Sequence, residues 1–312
     1  MNQPLISICI PAYKRIEFLQ RLLESIAIQT FRDFEVIITD DSPTHEVEEL
    51  AIKYQSTFTV HYYKNEKVLG TPENWNEAIR RANGQWIKIM HDDDWFCDEE
   101  SLGEFAQLAK QNQDKFIFSA YINNFLDKQE TESVKPSGFR LRLLRKNPDT
   151  LLAKNCIGPP SVVLYKAGEN EIFDKNLKWL VDIEFYIRKL KNKEFAFNHK
   201  PLINVGMSKE QVTSFCHTNP SVEIPEHQYF LKKNGVISLK NIWVYDAWWR
   251  LFRNFNIRQP KDLEKYTDGD WPPIINQIMK HLRCWPQWLL RIGVFSKFLM
   301  SLSFLKVKKK IK

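Results

Sequence analysis

Three consecutive aspartates, Asp92, Asp93 and Asp94, follow directly after an apolar run in the stretch IKIMHDDDWF, residues 87–96. Adjacent carboxylates repel one another and resist desolvation, so a cation or strong hydrogen-bond donors must offset their charge if they are buried. Hard divalent cations such as Mg²⁺ and Mn²⁺ bind carboxylate oxygens and keep open positions for phosphate groups. The alternative is a solvated surface loop, which is the commoner setting of an acidic run taken alone.

Two other polar segments follow apolar runs in the same way. The loop PAYKR follows LISICI, and the pair Asp40 and Asp41 follows FEVIIT. Between such runs the apolar residues recur at helical spacing, as in EFLQRLLESI. The pattern predicts strands at 5–10, 34–39, 58–63 and 85–90, and helices at 17–26, 46–55 and 73–83.

Almost continuously apolar strands that alternate with helices are typical of an α/β fold with a doubly wound, mostly parallel sheet and helices on both faces. In such sheets ligands bind beyond the carboxyl ends of the strands. We therefore expect the PAYKR loop, the aspartate pair and the aspartate triplet to lie at one edge of the sheet. A nucleoside diphosphate with a metal ion is the ligand that fits this edge, because a metal ion neutralises the charge that develops on a diphosphate leaving group.

Composition limits the remaining possibilities. The chain has 312 residues, of which 43% are hydrophobic and 27% charged, a mixture that can build a packed core. The net charge of +7 is concentrated in basic runs at 135–146 and 306–312, which favour an anionic partner. The five cysteines are widely separated, which argues for a reducing compartment and against structural zinc. The first residues lack the features of a signal peptide, so we expect a cytoplasmic location.

The segments SICIPAYKR, VIITDDSP and NEKVLGTPENWNEAIRRANGQWIKIMHDDDW resemble the N-terminal half of the family 2 glycosyltransferases, which have the GT-A fold. In that family the first loop and the aspartate after the second strand bind the nucleotide base and ribose. The resemblance implies that the nucleotide pocket comprises Pro11, Ala12, Tyr13, Arg15 and one or both of Asp40 and Asp41. We add Asn74, at the start of the following helix, as a further nucleotide contact.

The resemblance also implies that the aspartate triplet carries the family's DxD-type motif, with one aspartate at the ribose and another at the metal ion. Many members begin this motif with an aspartate where this chain has His91, so the register stays open. Asp92 and Asp94 fit the letters of the motif, whereas Asp93 fits the alignment. We expect Asp94 and Asp92 to bind Mn²⁺ or Mg²⁺, and Asp92 and Asp93 to lie at the nucleotide.

Inverting sugar transfer also needs a base for the proton of the acceptor hydroxyl group, and a well-placed carboxylate suffices. Asp182 lies near the start of a helical run at 176–192, where family members carry an acidic residue, and is the expected base. Glu184 is the alternative, on a different helix face, and an aspartate at a helix N-terminus is also favoured by the helix dipole alone. In relatives a loop similar to NCIGPPSVVLYK lies beside the acceptor, so Gly158, Pro159 and Ser161 are expected acceptor contacts. Glu184, in the helical run, is a further expected acceptor contact.

The last hundred residues lie outside this similarity. The run at 284–305 is apolar and long enough to span a bilayer, but Arg291 and Lys297 interrupt it. On a helical wheel the polar side chains fall within one imperfect arc, which comprises Gln287, Arg291, Lys297 and Ser301. An interfacial helix with a basic tail therefore fits better than a spanning one, and its partner would be the anionic inner face of the cell membrane. The alternative is a C-terminal helix packed on its own domain.

These features predict a GT-A domain at 1–220, with a nucleotide-binding half at 1–97 and an acceptor half at 98–220, and a helical C-terminal region at 221–312. The expected function is inverting, metal-dependent transfer of a single hexose or N-acetylhexosamine from a nucleotide-diphosphate donor, expected to be a UDP-sugar. The expected acceptor is a hydroxyl group of a glycan or lipid-linked glycan in lipopolysaccharide or capsule assembly, and no nucleic-acid partner is expected. Two alternatives stay open, a sugar nucleotidyltransferase and an inactive membrane-associated scaffold of the same fold.

Overall fold

The structure, a computed structural model, describes residues 3–168, 172–208, 216, 218–269 and 271–310. The chain forms two compact units. The first unit comprises Met1–Arg145, Cys156–Lys175 and Phe185–Gln211, and the second comprises Lys146–Asn155, Asn176–Glu184 and Val212–Lys312.

The first unit contains a sheet and its covering helices. The strands are β1 (Ile6–Ala12), β2 (Phe34–Asp40), β3 (Val60–Lys64), β4 (Trp86–Ile89), β5 (Asp94–Phe96), β6 (Phe116–Phe125), β7 (Glu130–Val134), β8 (Val163–Lys166) and β9 (Phe195–Met207). The helices are α1 (Ile16–Ala27), α2 (Glu46–Tyr54), α3 (Glu73–Arg81), α4 (Ser101–Gln111) and α5 (Gly138–Lys146). A further helix, α6 (Val181–Leu190), belongs to the second unit up to Glu184 and to the first unit from Phe185.

The sheet has the strand order β3-β2-β1-β4-β8-β6-β9-β5, with β7 paired to β6. The four predicted strands, β1 to β4, pair in parallel. Beyond β4 the sheet is mixed, because β8 runs antiparallel to both of its neighbours and β5 runs antiparallel to β9. Every residue of β2 and of β4 is buried, so both faces of this part of the sheet are covered, as expected for continuously apolar strands.

The strand register places the predicted loops at one edge. Ala12 at the end of β1 lies beside Asp40 at the end of β2, and Asp40 lies beside Lys64 of β3. On the other side of β1, Cys9 pairs with Ile89, the last residue of β4. The segments that follow β1, β2 and β4 therefore leave the sheet at its carboxyl edge, as the sequence predicts.

The second unit is helical. Its helices are α7 (Pro220–Asn234), α8 (Ile242–Asn254), α9 (Pro260–Leu263), α10 (Pro273–Arg283), α11 (Gln287–Arg291) and α12 (Gly293–Val307). The aromatic side chains of α8 build its core, with Tyr245, Trp248, Trp249 and Phe252 almost completely buried. Among the residues described, no helix has both the length and the hydropathy needed to cross a bilayer.

Candidate active site

Arg15, in the loop between β1 and α1, holds two of the three motif aspartates. Its Nε donates to Asp92 Oδ2 at 3.2 Å, its Nη2 donates to Asp92 Oδ1, and its Nη1 donates to Asp93 Oδ2 at 3.1 Å. All three aspartates are buried, with 4%, 6% and 2% of the surfaces of Asp92, Asp93 and Asp94 exposed. The motif is therefore not a solvated loop, and one guanidinium group faces a buried acidic cluster.

The buried carboxyl groups are electrostatically costly as they stand. Burial raises the pKa of Asp92 to about 7, although the charge of Arg15 opposes this shift. Burial and the neighbouring charge of Asp93 also raise the pKa of Asp94 well above its usual range, although the hydrogen bond from the Gly206 amide opposes this shift. A cation that joined this cluster would favour the ionised carboxylates and so reverse these shifts.

Asp94 and His91 supply the atoms such a cation would use. Asp94 Oδ1 accepts a hydrogen bond from the backbone N–H of Gly206 on β9 at 3.1 Å. Among the described residues, neither Asp94 Oδ2 nor His91 Nε2 has a hydrogen-bond partner, although both atoms are buried. Burial lowers the pKa of His91 to about 4, so its imidazole is neutral at pH 7 and one ring nitrogen has a free lone pair.

The residues present therefore fit a divalent metal ion. His91, Asp93 and Asp94 each offer one ligand atom, and these atoms lie within 4.8 Å of one another. Asp94 was predicted as a metal ligand and belongs to this group. Asp92 was predicted as a second ligand, but its two oxygens bind Arg15 instead, and its contact with a metal ion stays a prediction.

The predicted nucleotide residue Asp40 is fully buried and organises the sheet edge. Its Oδ2 accepts hydrogen bonds from the hydroxyl group of Tyr62 at 2.8 Å and from Nζ of Lys64 at 3.0 Å. Its Oδ1 accepts from the backbone N–H of Ser42 at 2.7 Å. Both oxygens of Asp40 are thus engaged by the protein, which fixes the turn after β2.

Asp41 organises the loop after β3. Its Oδ1 accepts from Asn65 Nδ2 at 2.8 Å and from the backbone N–H of Leu69 at 3.0 Å, and its Oδ2 accepts from the N–H of Gly70 at 2.8 Å. Asn74 is buried beside it and receives a hydrogen bond at Oδ1 from the same Asn65 amide at 2.9 Å. The carboxylate of Asp41 therefore shapes the segment 65–70 that precedes α3.

The remaining residues predicted for the nucleotide pocket differ in exposure. Pro11 is half-buried and Ala12 is buried at the end of β1, where the Ala12 carbonyl accepts from Asn74 Nδ2 at 3.4 Å. Tyr13 is the exposed member, with 47% of its surface accessible, and Nζ of Lys14 lies 4.8 Å from its ring centre. Of the predicted set, Tyr13 presents the largest free surface on which a nucleotide base could stack.

Ser161, in the predicted acceptor loop, forms hydrogen bonds with His91 and Lys88, which lie just before the aspartate triplet. Ser161 is fully buried, and its Oγ accepts from the backbone N–H of His91 at 3.0 Å. The fully buried Lys88 donates to the carbonyl oxygens of Ser161 and, at 3.3 Å, of Val163. The hydroxyl group of Ser161 therefore positions His91, and its predicted contact with an acceptor is not accessible in this structure.

Gly158 and Pro159 lie in the same loop. Gly158 has a φ of +119°. A Cβ atom at this position would lie 2.7 Å from the ring of Tyr121, so only glycine fits here. The carbonyl of Gly158 accepts from the hydroxyl group of Tyr186 at 3.1 Å, and Pro159 is half-buried. Their predicted contact with an acceptor stays a prediction.

The predicted base, Asp182, lies in the first turn of α6 and is partly exposed. Its Oδ2 accepts from Asn155 Nδ2 at 2.9 Å, and its Oδ1 accepts from the backbone N–H of Ile183 at 2.8 Å. Burial raises the pKa of Asp182 to about 6, although these hydrogen bonds favour the ionised form. The alternative base Glu184 is buried and pairs with Lys233 at 2.9 Å.

Glu226 of α7 is a buried carboxylate that the sequence analysis missed. It accepts three backbone N–H hydrogen bonds, from Lys178 at 2.8 Å and from Trp179 and Leu180 at 2.9 Å each. These bonds fix the turn that leads into α6 and so set the position of Asp182. No local signal marks Glu226, because its partners lie 46 to 48 residues away in the chain.

A sheet with this order and a buried acidic motif at its carboxyl edge are features of the GT-A fold. The chain belongs to glycosyl transferase family 2, whose family model matches residues 7–168. Membership of this family favours the predicted glycosyltransferase over the alternative of a sugar nucleotidyltransferase.

Two relatives illustrate the similarity. The chain is 24% identical over 223 residues to an uncharacterised glycosyltransferase of Rickettsia typhi. The match covers 68% of this chain and 66% of that protein. It is 28% identical over 198 residues to an uncharacterised glycosyltransferase of Haemophilus influenzae. This match covers 62% of this chain and 64% of that protein. The chain thus spans slightly less than two thirds of the length of these relatives.

Solved structures share the fold. S. aureus TarS in complex with UDP-GlcNAc has a TM-score of 0.59 at 16% identity, over 97% of this chain and 85% of that chain. A mannosyltransferase from Pyrobaculum calidifontis, in complex with GDP-Man and Mn²⁺, has a TM-score of 0.50 at 12% identity, over 99% of this chain and 76% of that chain. At these identities the likeness to both structures concerns the fold.

Proposed function

We propose that this protein transfers a single sugar, with inversion, from a UDP-sugar to a hydroxyl group of a glycan or lipid-linked glycan. The observation that carries the proposal is the buried cluster of His91, Asp93 and Asp94, in which Asp94 Oδ2 has no partner among the described residues. Such a cluster at the carboxyl edge of a family 2 glycosyltransferase fits a metal ion bound to a nucleotide diphosphate. The cell-surface setting, in polysaccharide assembly, is part of the same proposal.

UDP is the nucleotide we propose because TarS, whose fold this chain shares, is described in complex with UDP-GlcNAc. The mannosyltransferase with GDP-Man and Mn²⁺ supports a divalent cation and makes GDP the competing nucleotide. When bound, the cation would neutralise charge on the diphosphate. Asp94 and Asp93 would hold it, and Tyr13 would stack on the base at the exposed end of β1.

In the proposed reaction the oxygen of the acceptor hydroxyl group attacks the anomeric carbon of the donor sugar. The new bond between this oxygen and carbon forms as the bond from the carbon to the diphosphate oxygen breaks, and the nucleoside diphosphate leaves with that electron pair. Asp182 takes the proton of the acceptor hydroxyl group. The hydrogen bonds from Asn155 and Ile183 hold the carboxylate in place, and partial burial keeps it basic enough to accept the proton.

Thermal unfolding with added nucleotides tests the donor proposal. We expect UDP with Mn²⁺ to raise the melting temperature, because a ligand that binds only the folded state stabilises it. UMP with Mn²⁺ is the matched control, since it lacks the diphosphate group whose charge the metal ion would neutralise. Stabilisation by GDP but not by UDP would replace the proposed nucleotide. No stabilisation by any nucleoside diphosphate with Mn²⁺ or Mg²⁺ would contradict the donor site.

We also propose that the second unit binds an anionic membrane surface through α11 and α12. The predicted apolar run is two helices, because the helix breaks at Ile292. Both helices carry exposed apolar side chains, which are Trp288, Ile292, Val294, Phe295, Phe298, Leu302 and Leu305. Large apolar side chains exposed in such number on neighbouring helices favour an interaction surface over ordinary solvent-facing surface.

The opposite side of α12 is fixed to the second unit through its serines. Ser303 Oγ lies 2.6 Å from the hydroxyl group of Tyr245 and 2.6 Å from Nδ1 of His281. Ser296 Oγ accepts from Nε1 of Trp249 at 3.1 Å. These hydrogen bonds and the buried side chains of Leu299, Met300, Phe304 and Val307 hold one side of the helix against the second unit, while Val294, Phe295, Phe298, Leu302 and Leu305 stay exposed on the other side. One face of α12 therefore packs on its own domain, as in the predicted alternative. We propose that the other, exposed face contacts the membrane.

The charge of this region selects an anionic bilayer as the partner. Residues 271–312 contain no aspartate or glutamate, and Arg291, Lys297, Lys306, Lys308 and Lys309 are exposed. Each basic side chain near an anionic lipid surface contributes about 1 kcal/mol. The predicted basic tail extends to Lys312, and its last two residues, 311 and 312, lie outside the described residues.

Vesicle sedimentation tests this surface. The variant Phe295→Ser/Phe298→Ser is expected to bind vesicles of phosphatidylcholine and phosphatidylglycerol at least about tenfold more weakly, because burying one such side chain contributes about 1.5 to 3 kcal/mol. Ile52→Ser on α2 is the matched control, since Ile52 is also exposed but lies outside this surface. Wild-type binding is expected to fall when phosphatidylglycerol is left out. Equal binding by the variant and the control would rule out insertion of this face.

A further inference from the structure

His91 stands where many relatives have an aspartate, and its ring faces the acidic cluster. Its Nδ1 lies 3.8 Å from Asp94 Oδ2, which is too far for a hydrogen bond. Among the described residues both Asp94 Oδ2 and His91 Nε2 lack a hydrogen-bond partner, although 98% of the Asp94 surface is buried. The imidazole and the carboxylate therefore lie close together without a hydrogen bond between them.

The rest of the site holds the imidazole in this position. The backbone N–H of His91 donates to Ser161 Oγ at 3.0 Å, and Ser161 is itself fully buried. The imidazole ring packs on Trp75 with ring centres 4.7 Å apart, and Trp75 contacts Phe173 edge-on at 5.1 Å. Since both the backbone and the ring of His91 are fixed, its nitrogen atoms are pre-oriented, as second-shell contacts orient the ligands of metal sites.

Asp94 is fixed in a complementary way. The Gly206 amide binds its Oδ1 at 3.1 Å, which leaves Oδ2 directed toward His91 at 3.8 Å. A Cβ atom on Gly206 would lie 2.3 Å from the carbonyl oxygen of Asp93, so β9 approaches the motif as closely as a backbone can. The imidazole of His91 and the carboxylates of Asp93 and Asp94 each offer one ligand atom, and these atoms lie within 4.8 Å of one another, so the three residues can share one ligand.

We propose that His91 is a nitrogen ligand of the metal ion at this site, and that it makes the site prefer Mn²⁺ or Co²⁺ to Mg²⁺. The inference rests on the proposed function, which supplies the metal–nucleotide complex. Mg²⁺ favours oxygen ligands alone, whereas imidazole suits transition metals, whose affinity for mixed nitrogen and oxygen sites is higher. An aspartate at position 91 would make the set all-oxygen and weaken this preference.

Pulsed electron paramagnetic resonance of the full chain with Mn²⁺ and UDP tests the proposal directly. Wild type is expected to show ¹⁴N modulation from a coordinated imidazole, and labelling the histidines with ¹⁵N is expected to change the modulation frequencies. The labelling experiment needs no variant and therefore does not depend on whether a substitution folds. Mn²⁺ bound with no nitrogen coupling would overturn the role of His91 and leave the proposed function intact.

Metal titrations followed by calorimetry give the second readout. The ratio of Mg²⁺ to Mn²⁺ dissociation constants is expected to fall at least about tenfold in His91→Asp relative to wild type. His45→Asn is the matched control, because His45 is exposed on the same unit and far from the motif in sequence. An unchanged ratio in His91→Asp would overturn the inference. Failure of every divalent cation to bind with UDP would overturn both this inference and the metal dependence of the proposed function.

Discussion

Replacing Asp182 by asparagine is expected to lower kcat by about 100- to 10,000-fold, the range that loss of a general base usually costs. Asparagine keeps the size of the side chain and can still accept a hydrogen bond from the Ile183 amide, but it cannot take the proton of the acceptor hydroxyl group. In the proposed reaction the Asp182 carboxylate takes no part in binding the donor. The dissociation constant of UDP with Mn²⁺ is therefore expected to stay within about twofold of the wild-type value.

The measurement is release of nucleoside diphosphate in the presence of acceptor, together with calorimetric binding of UDP. Glu184→Gln is the matched control, because Glu184 lies on the same helix and pairs with Lys233. A wild-type rate for Asp182→Asn would show that another group takes the proton. A loss of rate confined to Glu184→Gln, with UDP binding retained, would transfer the role to Glu184.

The pH dependence gives the same assignment a second test. Because burial raises the pKa of Asp182 to about 6, the wild-type rate is expected to fall as the pH drops through 6. The folded protein also binds this proton more tightly than the unfolded chain, whose aspartate pKa is about 3.9. The free energy of unfolding therefore falls as the pH rises from about 3.9 to about 6. The stabilising effect of the protonated form is lost as the pH rises through 6. Asp182→Asn is expected to lose the acidic limb of the rate profile and to be at least as stable as wild type at neutral pH.

The strands and helices of the first ninety residues could be predicted because their signals are local. The predicted helix at 17–26 is α1 (Ile16–Ala27), and the predicted strand at 34–39 is β2 (Phe34–Asp40). Apolar runs and helical spacing are properties of neighbouring residues, and the parallel sheet follows from their alternation. The position of the motif at the carboxyl edge followed from the same argument.

The pairing inside the site could not be predicted, because it depends on distant parts of the chain. Arg15 and Asp92 were both expected to bind the nucleotide, yet they bind each other across 77 residues of sequence. Asp94 begins a short strand, β5, whose partner β9 supplies the Gly206 amide from 112 residues away. Such contacts leave no periodic trace in the sequence around either partner.

The C-terminal helices show what a polar arc leaves out. Lys297 of the predicted arc is exposed and Ser301 is half-buried, but the arc gives no sign that two other serines of α12, Ser296 and Ser303, are buried. These serines are buried because Trp249, Tyr245 and His281 bind their hydroxyl groups. A helical wheel treats every serine as polar surface and contains no information about distant hydrogen-bond partners.

Replacing Arg15 by glutamine is expected to lower the free energy of unfolding by about 3 kcal/mol, the lower end of the range for breaking a buried ion pair. The reason is that Asp92 and Asp93 stay buried while they lose the guanidinium group that neutralises them. The lower end applies because 30% of the Arg15 side chain is exposed, so water screens part of the charge. Urea unfolding of metal-free protein, followed by tryptophan fluorescence, measures the change.

Arg80→Gln is the matched control, since Arg80 forms ion pairs with Glu73 and Glu77 on the exposed surface of α3. Surface pairs of this kind contribute about 0 to 1 kcal/mol. The double variant Arg15→Gln/Asp92→Asn is expected to regain part of the lost stability, because it removes one of the two uncompensated carboxylates. Equal losses in Arg15→Gln and Arg80→Gln would show that Arg15 does not neutralise the cluster.

Arg15→Gln also tests whether the guanidinium group and a metal ion act on the same carboxylates. Asp93 binds Arg15 at 3.1 Å and also belongs to the group of three residues that fits a cation. A bound cation and Arg15 therefore act on one shared set of buried carboxylates. Mn²⁺ is expected to raise the melting temperature of Arg15→Gln more than that of wild type, because the ion then meets carboxylates that no other positive charge offsets. An equal increase in both proteins would mean that the guanidinium group and the ion act on separate carboxylates.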